Sequence, residues 1–529
     1  MTSAPTVQRR ILTDHYKLLE YTVGKQFGPL AGSAVAALSG RGALTLRQIA
    51  DAVLQEHTSG TSLSTARAVP SALHLPQQTG GKSEMTLDPS LLRDAAVKEV
   101  VGLLVLHRVV RYSPSSKQYR LSVGDAVLLR VLSPIIAGHV EHRYGTAGVA
   151  LYAVLFQLGV VPWQSAVRLA QERQPAAAEE VLLTASRMEA DGWLEFVGGG
   201  SSEEKPTRRK RGRQDTEEAA SVETLSADPC RLSIPRIVKG LLQVALQNQL
   251  ANYFSDVNHK VLAALLDMFF DTFPATSTED ELETVAADVE GGYPTFFPPM
   301  SESISLTHLI ARLHQLYPEG KKEDVVLLLD WLCTSPAILT RHDDSYRLQT
   351  RAAVDFLQSD VIERVLFVRH GTVGVRLIKL LLQHHYVDDK VLAEEVIATP
   401  QKTREVLHAM MKDGYTLLQE VPRNGNVAER PPKNSSFLWT CSLTETLLPS
   451  VRNHVARTLL RAEERLSAQG GRLEQYGPSE GADSGVGEAP RNAAFNISQP
   501  DAISAWRSYV GLQSCSLSLM RLMFMIDYL

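Results

Sequence analysis

The chain is poor in cysteine, aromatic residues and net charge, and it has no long apolar run. Four cysteines, Cys230, Cys333, Cys441 and Cys515, are scattered through 529 residues, with no CxxC pair and no histidine at zinc-finger spacing. That pattern excludes a disulfide framework and a structural zinc, and it fits a reducing compartment. Aromatic residues make up 6%, and the abundance of Leu, Ala and Val points to helices. A formal charge of −5 and a pI near 6.3 exclude a protein that coats nucleic acid by bulk charge. Any contact with phosphate must come from local patches or from partners. The longest apolar stretch, around Ala147–Trp163, is broken by Gln157 and Pro162 and is too short to span a bilayer, so no membrane association is expected. The N-terminal MTSAPTVQRR has no apolar core of the kind a secretory leader carries.

What is present is the composition of a globular protein, 44% hydrophobic and 21% charged, with a mean hydropathy of −0.09. At this length several domains are expected. The clearest pattern spans residues 351–441. FLQSDVIERVLFVRHGTVGVRLIKLLLQHHYVDDKVLAEEV, then MMKDGYTLLQEV and SSFLWT, reads as helix, turn, helix, helix and β-hairpin, which is the order of a winged helix. Three fainter copies precede it. Residues 13–131 form the first, with a polar loop inserted at 57–90 and a hairpin at VVRYS-PSSK-QYRLS. Residues 134–200 form the second, and 201–228 read as a disordered linker of mixed basic and acidic character. Residues 235–350 form the third, interrupted by an acidic insertion. Residues 442–529 differ: two long helices around a polar loop predict a helical hairpin or coiled coil. The expected fold is therefore mainly α with small β-hairpins, four tandem winged-helix domains and a C-terminal helical hairpin.

No constellation for covalent chemistry is visible. Gly80-Gly81-Lys82-Ser83 hints at a phosphate loop, but Pro76 stands where that motif needs glycine, and no strand precedes it. His384 and His385 lie next to Asp388 and Asp389, yet neighbouring helical residues diverge by about 100° and cannot share a metal. The reading is a non-catalytic chain with no cofactor and no metal. Residues 205–213, KPTRRKRGR, hold six cations in nine positions. Lys205, Arg208, Arg209, Lys210, Arg211 and Arg213 form a candidate nuclear-import signal, with a flexible phosphate contact or an incidental solvated linker as alternatives. Candidate phosphate contacts on wings and second helices are Arg108, Arg111, Lys117, Arg120, Arg341, Arg347, Arg404 and Arg423. Carboxylates are interspersed among them, so base-specific readout is not expected. Phe437 and Trp439, with Met523, Phe524 and Tyr528 in the apolar C-terminus, are candidate partner-docking residues.

Two segments carry a family resemblance. HYKLLEYTVGKQFGPLAGSAVAAL with LTLRQIA, and above all the block from FLQSDV to SSFLWT, resemble the largest subunit of the RNA polymerase III-specific initiation heterotrimer. That family is related to the alpha subunit of general transcription factor IIE. Val361, Glu363, Arg364, Leu380, Leu381, Lys390, Pro400, Leu407, Met411, Leu418, Gln419, Glu420, Pro422, Phe437 and Trp439 fit the family pattern. The family's RFG becomes VRHG here, at Val368–Gly371. The resemblance implies docking on the clamp of the polymerase's largest subunit, two smaller heterotrimer partners, and recruitment through initiation factor IIIB. It also implies non-specific contacts to promoter DNA during opening, synthesis of transfer RNA, 5S ribosomal RNA and other small RNAs, and a nuclear location. Two alternatives remain: a free winged-helix factor of the IIE-alpha type, and a protein-interaction scaffold that touches no nucleic acid.

Overall fold

The computed structural model describes residues 13–59, 89–197, 228–253, 256–272, 300–316, 322–422, 435–474 and 500–528. The chain is mainly helical with small sheets, and it divides into two units. One is Tyr16–Leu241; the other joins Asp14 and His15 to Leu242–Leu529.

In the first unit, α1 (Thr13–Phe27) enters from the other unit and stops at Gly28, whose φ of 95° no side chain adopts cheaply. Pro29 then opens α2 (Pro29–Arg41), which packs on α3 (Leu46–Ser59) and α4 (Pro89–Leu106) through Val35, Leu38, Ile49, Val53, Val101 and Leu104. The hairpin β1 (Val110–Ser113) and β2 (Gln118–Leu121) follows, and Leu44 bridges to Tyr119 on its edge. A short α5 (Val123–Ala126) and a π-helical turn at Val127–Val131 lead into α6 (Ser133–Leu158). Next come β3 (Val161–Pro162), α7 (Trp163–Arg173), α8 (Ala178–Ala190), β4 (Leu194–Phe196), β5 (Pro229–Leu232) and α9 (Ile234–Ala251), which runs on into the second unit. The strand order is β3-β5-β4, so β5 is the central strand. That differs from the boundary expected at residue 200. Phe196 pairs with Cys230, so the sheet needs a strand from beyond the basic run. The run at 205–213 lies in the connection between two paired strands and does not separate two domains. Its own residues, like most of the 57–90 loop and the acidic insertion, lie outside the described residues.

In the second unit, α10 (Asp256–Asp271), β6 (Ile304–Ser305), α11 (Leu306–Leu316), α12 (Lys322–Thr334), β7 (Leu339–His342) and β8 (Ser345–Leu348) surround one core. Leu246, Leu265, Phe269, Leu309, Leu329 and Tyr346 fill it, and the sheet order β6-β8-β7 repeats that of the first unit. Then α13 (Thr350–His384), α14 (Asp389–Val396), α15 (Pro400–Lys412), β9 (Leu417–Pro422) and β10 (Ser435–Thr440) follow. The last helices, α16 (Leu448–Glu474) and α17 (Pro500–Asp527), pack on each other. Arg452 meets Asp527, Glu463 meets Ser516, and Gly470 lies near Tyr509, so the two run antiparallel. By length and composition α17 is apolar enough to cross a membrane over Asp501–Asp527. Its last turns, however, are buried in the chain at Met520, Met523, Phe524 and Ile526.

One device recurs. Both α6 and α13 are broken by a glycine in a conformation confined to that residue, Gly145 (φ 68°, ψ −165°) and Gly371 (φ 68°, ψ −168°). The residue before each break is pinned to a later aspartate. Tyr144 donates to Asp191, joined by Arg143 at 3.0 Å; His370 lies 3.1 Å from Asp413, joined by Arg369 at 2.9 Å. The sequence reading missed these groups. The signal was present in RYGTAG with DGW, and again in RHGTVG with DGY. Each is a staple that ties the helix break to the C-cap residue of a later helix.

Candidate nucleic-acid and partner interface

The site is built on residues 371–441. After the break at Gly371, α13 continues to His384, and the chain turns at His385 (φ 65°). Val387 then pairs with Trp439 in both directions, at 3.0 and 2.8 Å, which adds a short outer strand to β10. Helix α14 ends on Ile397, held left-handed at φ 59° and 89% exposed. Thr399 caps α15, its side chain accepting from the Lys402 amide, and Pro400 supplies the fixed φ of a first helical residue. Thr403, Val406, Leu407 and Met410 bury one stripe of α15. The opposite stripe presents Gln401, Lys402, Arg404, Glu405 and His408.

That exposed stripe is electrostatically committed. Lys402 reaches Glu405 at 3.1 Å, and Arg404 bonds Asp389 across the turn between the helices. The Arg404 pKa is raised, first by the hydrogen bond to Asp389 and then by its charge. A recognition helix that reads DNA keeps its cations uncommitted for phosphate and base edges. Here the two cations nearest the helix start each have a carboxylate partner within the chain. The hairpin beside it exposes apolar side chains next to Gln419 and Glu420. In the register Phe437↔Glu420, Leu438↔Gln419 and Trp439↔Leu418, alternation puts Leu417, Val421 and Leu438 on one face and Leu418, Phe437 and Trp439 on the other. Leu417, Leu418, Val421 and Phe437 are all exposed.

The candidate phosphate contacts do not converge. Arg108 is corrected: it is 8% exposed, held at φ 56°, and bonds Glu195 at 2.6 Å. It is a buried ion pair of the first unit, because β4 brings Glu195 under the end of α4. Arg111 and Arg120 are cross-strand neighbours, and Asp125 at 2.7 Å relieves the repulsion at Arg111. Lys117 sits exposed at the turn of that hairpin, with Arg120 also exposed. Arg341 is paired with Tyr346 and Arg347 with Thr340, so the two arginines occupy opposite faces of their hairpin. Arg341 also lies 3.6 Å from Asp330. Arg423 and the six cations of the basic run lie outside the described residues.

Four of the five docking candidates are corrected as well. Trp439 is 3% exposed and meets the His408 ring edge-on at 5.2 Å. Met523, Phe524 and Tyr528 are buried, and Phe524 stacks on Tyr528 at 5.8 Å. Their apolar surface is consumed by this chain's own packing, which is where large hydrophobic side chains gain most. Phe437, 46% exposed, is the one left facing outward.

A break-then-helix-turn-helix closed by a two-stranded wing defines a winged-helix domain at residues 362–441. That span matches the family model for the C-terminal winged-helix domain of POLR3C. The chain is also similar to proteins named DNA-directed RNA polymerase III subunit rpc3. It is 30% identical to that of Ajellomyces capsulatus over 115 residues, 22% of this chain and 17% of the relative. The subunit of Aspergillus niger gives 30% over 115 residues, covering 22% and 18%, and that of Aspergillus terreus gives 28% over 132 residues, covering 25% and 20%. The matched segment thus spans about a fifth of the length of these relatives. The resemblance to the polymerase III subunit stands on both comparisons, the family model covering residues 362–441.

Proposed function

We propose that the chain is a non-catalytic subunit of DNA-directed RNA polymerase III, acting in the nucleus as a scaffold for promoter recruitment and DNA opening. The match of residues 362–441 to the POLR3C winged-helix model carries this reading. The relatives named as subunit rpc3 support it. The four helical segments with hairpins are proposed as four tandem winged helices, supported by the repeated sheet order in β3-β5-β4 and β6-β8-β7, and the α16–α17 pair as the terminal hairpin. The proposed partners are the polymerase clamp, two smaller heterotrimer subunits and initiation factor IIIB, with promoter DNA touched only through phosphates.

The chemistry of the site favours docking over sequence reading. Carboxylate-paired cations on α15 and the exposed Leu417, Leu418, Val421 and Phe437 of the wing suit a protein surface, while the exposed Lys117 and Arg120 suit non-specific phosphate contact. Affinity capture of the full chain from nuclear extract should recover the two largest polymerase III subunits in near-equal amounts. Their absence, together with tight DNA binding by the isolated chain, would replace this reading with a free factor of the IIE-alpha type.

The basic run is proposed as a nuclear-import signal carried on the connection between β4 and β5, with phosphate contact as the second role. Replacing Lys205, Arg208, Arg209, Lys210, Arg211 and Arg213 by alanine should move a fluorescent fusion to the cytoplasm without changing the melting temperature. Unchanged nuclear signal with weaker, less salt-dependent DNA binding would assign the run to phosphate instead.

A further inference from the structure

We infer that a small cavity beside Arg130, in the Tyr16–Leu241 unit, is a binding site for one halide ion. Arg130 lies on the π-helical turn Val127–Val131, is 5% exposed, and lines a cavity of about 20 Å³ together with His107, Arg108, Phe156 and Gly159. Its Nη1 donates to the Phe156 carbonyl at 3.1 Å and its Nη2 to His107 Nδ1 at 2.5 Å. The guanidinium lies over the ring of Phe27 at 5.1 Å and over that of Phe156 at 4.4 Å. Its Nε, fully buried, has no hydrogen-bond partner. No carboxylate among the described residues pairs with it; Glu195 serves Arg108 and Arg231.

The charge persists despite the burial. Desolvation lowers the Arg130 pKa to about 10, which still leaves it protonated at neutral pH. His107 adds no second charge: burial first, and then the Arg130 charge, push its pKa down to about 3. The imidazole is neutral, and because Nδ1 accepts from Arg130 the ring proton sits on Nε2. A buried cation satisfied only by π faces, a carbonyl and a neutral ring lacks the counter-charge that buried ions require. Gly159 lets the cavity wall close in beside His107: a Cβ there would stand 2.8 Å from the Leu106 carbonyl and 2.9 Å from His107 Nδ1. The volume fits a single water-sized sphere, hence a monatomic anion and not a phosphate or carboxylate group.

The test uses the full chain in sodium chloride, sodium bromide and sodium gluconate at equal ionic strength. Both halides should raise the melting temperature by roughly 3 °C over gluconate. That order opposes the general tendency of strongly excluded anions to favour burial, so it reports a site. Arg130→Met should abolish the difference. Should that variant not fold, bromide anomalous scattering from crystals of the unaltered chain answers the question directly. A peak beside Arg130 supports the site; a water there, or equal melting in all three salts, overturns it.

Discussion

Replacing Asp527 by alanine is expected to destabilise the second unit by about 3–5 kcal/mol, the cost of stranding buried charge partners. Asp527 is two residues from the end of the chain, yet it is 2% exposed. It accepts from His15 Nε2 at 2.6 Å, and Arg452 lies 2.6 Å from its other oxygen. Arg452 also donates to the Ile526 carbonyl at 3.3 Å, and Arg457 binds Asp14 at 2.7 Å. Three segments far apart in sequence, at residues 14–15, 452–457 and 526–527, thus meet in one polar knot. Alanine would leave the buried His15 and the mostly covered Arg452 without their shared anion. The urea midpoint of the unit containing Leu242–Leu529 measures the loss, and a change below ~1 kcal/mol would contradict the assignment.

The same knot predicts acid sensitivity. Burial alone raises the Asp527 pKa, but the His15 and Arg452 charges and hydrogen bonds outweigh it, so the carboxyl lies below its ordinary value. A depressed folded pKa contributes stability that is present above the unfolded carboxylate value, about 4, and is lost as pH falls through the folded value. Unmutated protein should therefore lose stability below about pH 4, and Asp527→Ala should show a flatter dependence there.

Trp439→Ala and Phe437→Ala should part company. Truncating Trp439 removes a buried ring against His408 and loosens the strand at which Val387 joins the sheet, with an expected cost of about 3–5 kcal/mol. Phe437, two residues away on the same face of β10, should cost under ~1 kcal/mol because nearly half of it is already in water. If the wing docks on the polymerase, Phe437→Ala should nevertheless reduce co-purification about tenfold, as an exposed aromatic anchor does at an interface. Melting temperature and capture yield, read on both variants, separate the two roles. Equal stability losses would show that the hairpin packs otherwise than described, and unaltered capture by Phe437→Ala would remove this wing from the interface.

The helices were readable because their apolar residues repeat at helical spacing, as in Thr403, Val406, Leu407 and Met410 on α15. The resemblance was readable for the same reason: a winged helix needs its buried positions in one order, and that order survives in the residues themselves. The staples at Gly145 and Gly371 were readable in principle, since only glycine tolerates their backbone angles. The two-residue strands β3 and β6 were not, because strands that short carry no alternation.

What the sequence determined by itself was therefore local: the helices, the wings, the polymerase-type winged helix at 351–441 and the absence of bulk positive charge. Which cations remain available, which aromatics face water, and where the basic run is attached were decided only by tertiary structure. Arg404 looks like a phosphate ligand until Asp389 is seen beside it. Arg108 looks like a wing cation until Glu195, from a strand many residues away, is found against it. Residues 201–228 look like a boundary between domains until β5 pairs with β4, which makes them a connection between two strands of one sheet. The reason is common to all three. Charge and exposure depend on neighbours brought in from distant parts of the chain, and neither spacing nor composition records which neighbours those are.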